Sequence, residues 1–412
     1  MLSRCIGVDT DVFATEHWGR KPLLSCSGAL PRDFRDLLSP DMVDELIAER
    51  GVRAPFIRLA KEGQVLTKDC YLGPAGFGAE ITDQVDSAKV LNQLDSGATV
   101  VLQGLHRLWP PLIDFVRRAV EDIGHPVQAN AYITPPGNRG FDFHYDVHDV
   151  FVLQVSGSKR WIVHEPVHLH PLPSQPWTDH RDQVAERVTS DPVLDVELCE
   201  GDALYLPRGW VHAAQTLETT SIHLTIGVAA TTAVDIARAV LDQLGAAEEF
   251  RAPLPLGTNP VDRDDVTATA TKVIAQLVNH LRDNAEMLST TAAEHLIARH
   301  GVQTRAEAVH PLAALRAAEQ SDGVRVRWRR GMIATITREP DGRVAMRLPD
   351  KTIRFPDVCL AALQELSSGR PADAGALPGL DGADGAVLIR RLLREGVVVP
   401  SPVQQPMPRL TR

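Results

Sequence analysis

The chain has 412 residues, 44% of them hydrophobic and 23% charged, with a formal net charge of −10. That length exceeds one ordinary core and fits about two or three domains; the acidic balance opposes a general nucleic-acid-binding surface, and no apolar run approaches the roughly 18 residues that span a bilayer. The N-terminus lacks an apolar signal-peptide core, and the five cysteines, Cys5, Cys26, Cys70, Cys199 and Cys359, are scattered without Cys-x-x-Cys spacing, so a cytoplasmic protein with reduced, structural thiols is expected. Charge is uneven: residues 301–412 hold 17 Lys and Arg against 12 Asp and Glu, a net of +5, which leaves −15 on the first 300. Any polyanion contact would fall C-terminally.

In chain order, 40–50 (Met42, Leu46, Ile47) and 111–123 (Ile113, Phe115, Val116, Val120) space their apolar residues as amphipathic helices that pack on the outside. Short β-branched and aromatic runs then predict strands at 99–102, 127–133, 150–155, 160–163, 203–206 and 221–228, hence a sandwich or barrel. Ser156-Gly157-Ser158 reads as a tight hairpin turn. Helical spacing returns at 233–244 and 266–281, joined by the Pro-rich 252–260, as a packed spacer or a dimerisation element. Strands at 324–328, 333–337, 344–348 and 397–399, with helices at 356–366 and 385–395, describe a small α+β module of winged-helix type, and 371–384 reads as a loop.

The chemistry concentrates in two segments. His144-Tyr145-Asp146 follows a Pro/Gly-rich turn, and residues 201–212 run Gly-Asp-Ala-Leu-Tyr-Leu-Pro-Arg-Gly-Trp-Val-His, ending on His212. In a strand, residues two apart share a face, so His144 and Asp146 are expected to grip one ion while a distant strand brings up His212. Three ligands on one side leave the other open, the 2-His-1-carboxylate arrangement that suits a non-haem Fe(II) working with a co-substrate and O2. An isolated His-x-Asp is usually a surface pair; the turn before this one, and the strand, Pro-Arg-Gly-Trp turn and histidine after it, favour a metal site. His148, His164, His168, His170 and His223 are nearby alternatives, and His223 best fits a supporting place beside the ligands. Activating O2 needs two more electrons, which 2-oxoglutarate can supply. Its far carboxylate calls for a cation, for which Lys159 is the candidate unless it is a solvated turn lysine. Asn130 and Tyr132 share a strand face in an apolar run and either hydrogen-bond the co-substrate or form a satisfied buried network.

At Asn130-Ala131-Tyr132-Ile133-Thr134-Pro135-Pro136-Gly137, Gly140, Phe141, His144-Tyr145-Asp146, Phe151-Val152-Leu153-Gln154, Gly157-Ser158-Lys159-Arg160-Trp161 and His223-Leu224-Thr225 the sequence resembles the JmjC-type ribosomal oxygenases. Residues 13–18 and Arg20-Lys21-Pro22-Leu23-Leu24 resemble that family's N-terminal segment. The resemblance implies a mainly β catalytic domain (1–230), a JmjC/cupin-like double-stranded β-helix with Fe(II) on His144, Asp146 and His212. It implies 2-oxoglutarate held by Lys159, Asn130 and Tyr132, with Thr225 a further contact. It also implies an all-α dimerisation domain (231–305), a winged-helix-like α+β domain (306–400), a flexible tail (401–412) and a homodimer. Such enzymes hydroxylate a His or Arg side chain of a ribosomal protein, and the domain order favours this over histone demethylation.

Two other readings stand beside it. The same chemistry could serve a peptide natural product or a small molecule. Alternatively, a non-enzymatic cupin-like regulator could touch DNA through Arg325, Arg327, Arg329 and Arg330 around Trp328, although a solvated strand face explains those arginines better.

Overall fold

The computed structural model describes residues 1–401 except 79, 140, 321 and 322. Gly140 and nearly all of the expected tail therefore lie outside the described residues. Contacts divide the chain into two units, Met1–Ala230 and Thr231–Arg412.

In the first unit the strands that build the site are β1 (Leu23–Ser25), β2 (Ile57–Lys61), β3 (Gln64–Val65), β4 (Thr99–Leu102), β5 (Val127–Thr134), β6 (Asp149–Ser156), β7 (Lys159–His164), β8 (Leu194–Leu198), β9 (Ala203–Leu206), β10 (Val211–Thr216) and β11 (Ser221–Val228). They form an eight-stranded sheet in the order β1-β9-β6-β11-β5-β4-β2-β3 and a three-stranded sheet in the order β8-β7-β10. The two sheets face each other across a cavity lined from both sides, as in a cupin-like double-stranded β-helix. Alternation along the strands separates core from cavity. On β11, Ile222, Leu224, Ile226 and Val228 enter the main core, and on β5 so do Val127, Ala129, Ala131 and Ile133. Of the residues between them, Tyr132, His223 and Thr225 face the cavity.

Helices cover the outer face as their periodicity predicts. The helix Pro110–Ile123 buries Leu112, Phe115, Val116 and Ala119 at spacings of three and four. Proline in its first turn removes an N–H that would have no partner, and Gly124 ends it at φ +77°. The helix Pro40–Ala48 starts on Ser39, whose hydroxyl accepts from the Met42 N–H at 3.2 Å.

Residues 156–158 are not a hairpin turn. β6 pairs with β9 and β11, whereas β7 pairs with β8 and β10, so this corner carries the chain from one sheet to the other. Gly157 has φ +64°, and a Cβ there would lie 2.2 Å from the Thr220 carbonyl oxygen. Nor do His144 and Asp146 lie in a strand: His144 forms an isolated bridge and Asp146 sits in the following loop. The strand that carries His212 is present as β10, whereas β2, β8 and the helix Ser87–Asp95 escaped the sequence reading; β8 is only five residues long, although Leu194, Val196 and Leu198 alternate with Asp195 and Glu197. All five cysteines are free, but only Cys5 and Cys359 are buried, while Cys26 and Cys199 are exposed and Cys70 half-buried.

The second unit begins with Ala233–Leu241, capped by the Thr232–Asp235 box, followed by Arg263–Asp283 and Ala285–Thr304, the last of which the sequence reading missed. Arg299 pairs with Asp235 at 2.9 Å, tying the first helix to the third. A separate core then gathers the helices Pro311–Glu319, Leu360–Ser367 and Gly382–Arg394 around short strands, including the unanticipated Thr352–Pro356. Two of the clustered arginines serve this fold: Arg327 grips both Glu307 carboxylate oxygens at 2.6 Å, and Arg329 donates to the carbonyls of Glu307 and Gly396. Trp328 between them is buried. These contacts remove much of the free basic stripe that a DNA-binding reading needs.

Replacing Gly157 with alanine should destabilise the first unit by on the order of 2–3 kcal/mol, since the new Cβ meets backbone at a positive φ. Urea unfolding checks this; an unchanged midpoint would show that the corner relaxes freely.

Candidate metal centre

Backbone pairing assembles the site. The His144 N–H donates to the His212 carbonyl at 3.1 Å and the His212 N–H donates back to His144 at 2.8 Å, an antiparallel bridge that sets the two side chains side by side. Their ring centroids are 4.6 Å apart. The Asp146 carbonyl accepts from the Gly209 N–H at 3.0 Å, which fastens the Pro-Arg-Gly-Trp turn to the loop carrying the carboxylate. Gly209 has φ +88°, and a Cβ would come within 2.6 Å of the His168 carbonyl, so the turn requires glycine. Buried Asp149 braces the same turn, accepting from the Tyr205 hydroxyl at 3.0 Å and the Arg208 N–H at 3.3 Å.

His144, Asp146 and His212 each offer one atom to a cluster within 4.8 Å, the one such group among the described residues. In both histidines Nδ1 lies against a backbone carbonyl, Asp142 at 2.7 Å and Trp210 at 2.9 Å. A carbonyl only accepts, so Nδ1 carries the hydrogen and Nε2 presents its lone pair. Burial, with His144 adding to it, pushes His212 down to about 4, so it is neutral and ready to ligate at neutral pH. Burial acts against ionisation of Asp146, but His148, His144, His212 and Arg58 outweigh it and hold the carboxyl below its usual range. Two imidazoles that present Nε2 and one ionised carboxylate are a donor set that fits a divalent metal.

The cavity beside this trio measures about 250 Å³. Among its lining residues Lys159 is 3% exposed, and its ammonium has one hydrogen-bond partner among the described residues, the Thr134 hydroxyl at 3.1 Å. Burial alone lowers this ammonium to about 7. It is therefore not a solvated turn lysine. Trp161 Nε1 and His223 Nδ1 are buried without partners, and both residues line the same cavity. A buried cation and orphaned polar atoms around one space mark a site built for a polar, anionic guest.

His223 stacks on Tyr132 with ring centroids 5.0 Å apart and is kept neutral by burial and then by Lys159. Tyr132 and Thr225 line the cavity, whereas Asn130 does not; its carboxamide oxygen accepts from the Gly104 N–H at 2.9 Å. The structure thus brings together His144, Asp146, His212, Lys159, Tyr132 and Thr225, and engages Asn130 elsewhere. His148 lies under Gly227, outside the trio; His164, at the end of β7, is buried with neither ring nitrogen hydrogen-bonded, and His168 stacks on His180. Sequence reasoning missed Arg58, Thr99, Thr134 and Trp177. The alternation that exposes Tyr132 to the cavity also points to Thr134, but Arg58 and Trp177 come from segments with no recognisable pattern.

A family model for the JmjC domain matches residues 112–236. The bifunctional lysine-specific demethylase and histidyl-hydroxylase NO66 of Drosophila persimilis is 42% identical over 223 residues, covering 52% of this chain and 29% of that protein. Ribosomal oxygenase 1 of Gallus gallus is 30% identical over 216 residues, 52% of this chain and 34% of that protein. The chain thus matches only about a third or less of the length of these curated relatives. Among solved structures, the Escherichia coli ribosomal oxygenase YcfD, in complex with cobalt and 2-oxoglutarate, superposes with a TM-score of 0.53 at 18% identity, covering 97% of this chain and 99% of that one. That likeness shows a shared fold. Residues 112–236, the stretch similar to the JmjC domain, hold all three members of the His144, Asp146 and His212 trio.

Proposed function

We propose that the protein is an Fe(II)- and 2-oxoglutarate-dependent oxygenase that hydroxylates a His or Arg side chain of a protein substrate, in the first place a ribosomal protein. The observation that carries this reading is the pairing of an open His144, Asp146 and His212 trio with a buried Lys159 that has no carboxylate partner among the described residues. Bound together, Fe(II) and 2-oxoglutarate would supply oxidative decarboxylation to succinate, coupled to insertion of one atom of O2 into a C–H bond. Nε2 of both histidines and the Asp146 carboxylate would hold the metal beside the cavity. Lys159 and Thr134 would take the far carboxylate of 2-oxoglutarate by charge-assisted hydrogen bonds. Tyr132 and Thr225 line the space around the co-substrate, and neutral His223 adds no second cation beside Lys159. Phe141 and Trp177 wall the mouth and help exclude water.

The second unit supports a homodimer. No residue of the 21-residue helix Arg263–Asp283 is buried, and Val273, Ile274 and Val278 are exposed. We assign 231–305 to dimerisation, with a second copy covering that face, and 306–400 to a winged-helix-like domain. Among the described residues no helix is long and apolar enough to cross a membrane, and the free cysteines fit the proposed cytoplasmic location.

These assignments have measurable consequences. The protein should couple succinate formation to a mass gain of one oxygen on a ribosomal-protein peptide, and His144→Ala should lower this by more than the roughly 10–100-fold cost of losing a ligand's outer partner. Full activity in that variant would remove the metal assignment, and formaldehyde release without oxygen retention would replace hydroxylation by demethylation.

Lys159 is lowered to about 7, and a bound dianion favours its charged form, so at pH 8 binding of 2-oxoglutarate to the Zn(II)-loaded protein should take up most of a proton. Affinity should then fall as pH rises above that value. Calorimetry in two buffers of different ionisation heat reads the uptake, and zero uptake contradicts the role of Lys159. For the dimer, sedimentation should show two copies for the wild type and one for Ile274→Asp with Val278→Asp; a monomeric wild type removes that assignment.

A further inference from the structure

The cavity holds one charged group, Arg58, that helps keep Asp146 ionised but has no part in the proposed binding of metal or co-substrate. Arg58 lies on β2, and the sheet register sets its row: Arg58 opposes Val101, Val101 opposes Tyr132, and Tyr132 opposes His223. All four side chains therefore project from the same face. Ile57 and Leu59 on either side enter the core, which commits Arg58 to the cavity. Its guanidinium lies over the Phe141 ring, 5.6 Å from the centroid, and Phe141 is in turn 6.0 Å from the His144 ring. Arg58 Nε is buried without a hydrogen-bond partner.

The charges around the cavity do not cancel Arg58. Asp146 is the one acid among the lining residues, and it belongs to the metal trio. Lys159 faces the co-substrate's far carboxylate in the proposed reading. A divalent metal, Asp146, a dianionic co-substrate and Lys159 sum to zero, which leaves Arg58 as the uncompensated charge. At the rim, Asp142 pairs with Arg139 at 3.0 Å, and neither Asp142 nor Asp179 lines the cavity. The aromatic walls offer a cation little as well, since Arg58 covers Phe141 and Arg181 stands 5.1 Å from the Trp177 centroid.

We propose that Arg58 is a specificity-determining residue that makes this pocket take an uncharged planar side chain, a neutral imidazole or a carboxamide, and reject a guanidinium or an ammonium. The inference rests on the protein-hydroxylase reading and narrows its substrate class. A second unit charge about 6 Å from Arg58, at an effective dielectric near 20, would be disfavoured by roughly 100-fold, and its own desolvation would add to this. An uncharged acceptor at the same place meets the free Nε–H instead.

Three peptide libraries with randomised flanks and a fixed central His, Arg or trimethyl-lysine test this by mass spectrometry. Retention of each library on Zn(II)-loaded protein with N-oxalylglycine, a non-reacting 2-oxoglutarate analogue, gives a readout independent of turnover. The wild type should favour the His library over both cationic ones by at least about tenfold in both measurements. Arg58→Gln should shrink that preference roughly tenfold or more, whereas Arg58→Lys, which keeps the charge, should preserve it. Equal or better handling of the cationic libraries by the wild type, or an unchanged preference in Arg58→Gln, overturns the role of Arg58. If no library is retained or modified while N-oxalylglycine still binds, the protein-hydroxylase reading itself falls, and this inference with it.

Discussion

The site depends on one pair of backbone hydrogen bonds, exchanged between His144 and His212 across 68 positions of sequence. Neither bond involves a functional atom. Together they fix the separation of two imidazoles more rigidly than side-chain packing could, because residues exchanging both bonds in an antiparallel pair have their side chains on one face. The Gly209–Asp146 bond and the Asp149 brace extend the same logic to the carboxylate and to the turn before His212. What remains for the side chains is tautomer choice, which two carbonyls impose at Nδ1.

Around that anchor, the two sheets divide the work. Alternation sends one set of residues on β5 and β11 into a large apolar core and turns Tyr132, His223 and Thr225 of the other set to the cavity, so strand stability and site chemistry share the same backbone without competing. The cost falls on the polar residues. Lys159, His223 and Trp161 are buried with fewer partners than their chemistry requires. Such a cluster destabilises an empty fold and is relieved by a guest with matching charge and acceptors. The lowered Lys159 and the neutral His223 describe the same imbalance electrostatically.

Much of this was legible in the sequence, for identifiable reasons. Six strand segments and the two helices of the first unit carry strong local periodicity, and the structure places them within a few residues of their expected ends. The grouping of His144, Asp146 and His212 was readable because the three residues sit in punctuated segments, a Pro/Gly turn before His144 and Pro-Arg-Gly-Trp before His212. The errors arose where tertiary structure decides. Residues 156–158 have hairpin composition, yet they join different sheets, a distinction invisible without pairing partners. Asn130 shares a face with Tyr132 as expected, but the loop at Gly104 captures its carboxamide. Arg58 lay in a five-residue strand whose three buried residues, Ile57, Leu59 and Ala60, break strict alternation, so no periodic signal marked it.

The central claim is that the His144, Asp146 and His212 trio and Lys159 form one site for metal and co-substrate. Anaerobic addition of Fe(II) and then 2-oxoglutarate, followed by visible absorption, tests it most directly. A metal-to-ligand charge-transfer band that is abolished in His212→Ala and weakened in Lys159→Ala, with Fe(II) binding retained in the latter, is the predicted result. Absence of the band in the wild type, or a band indifferent to both substitutions, would contradict the account.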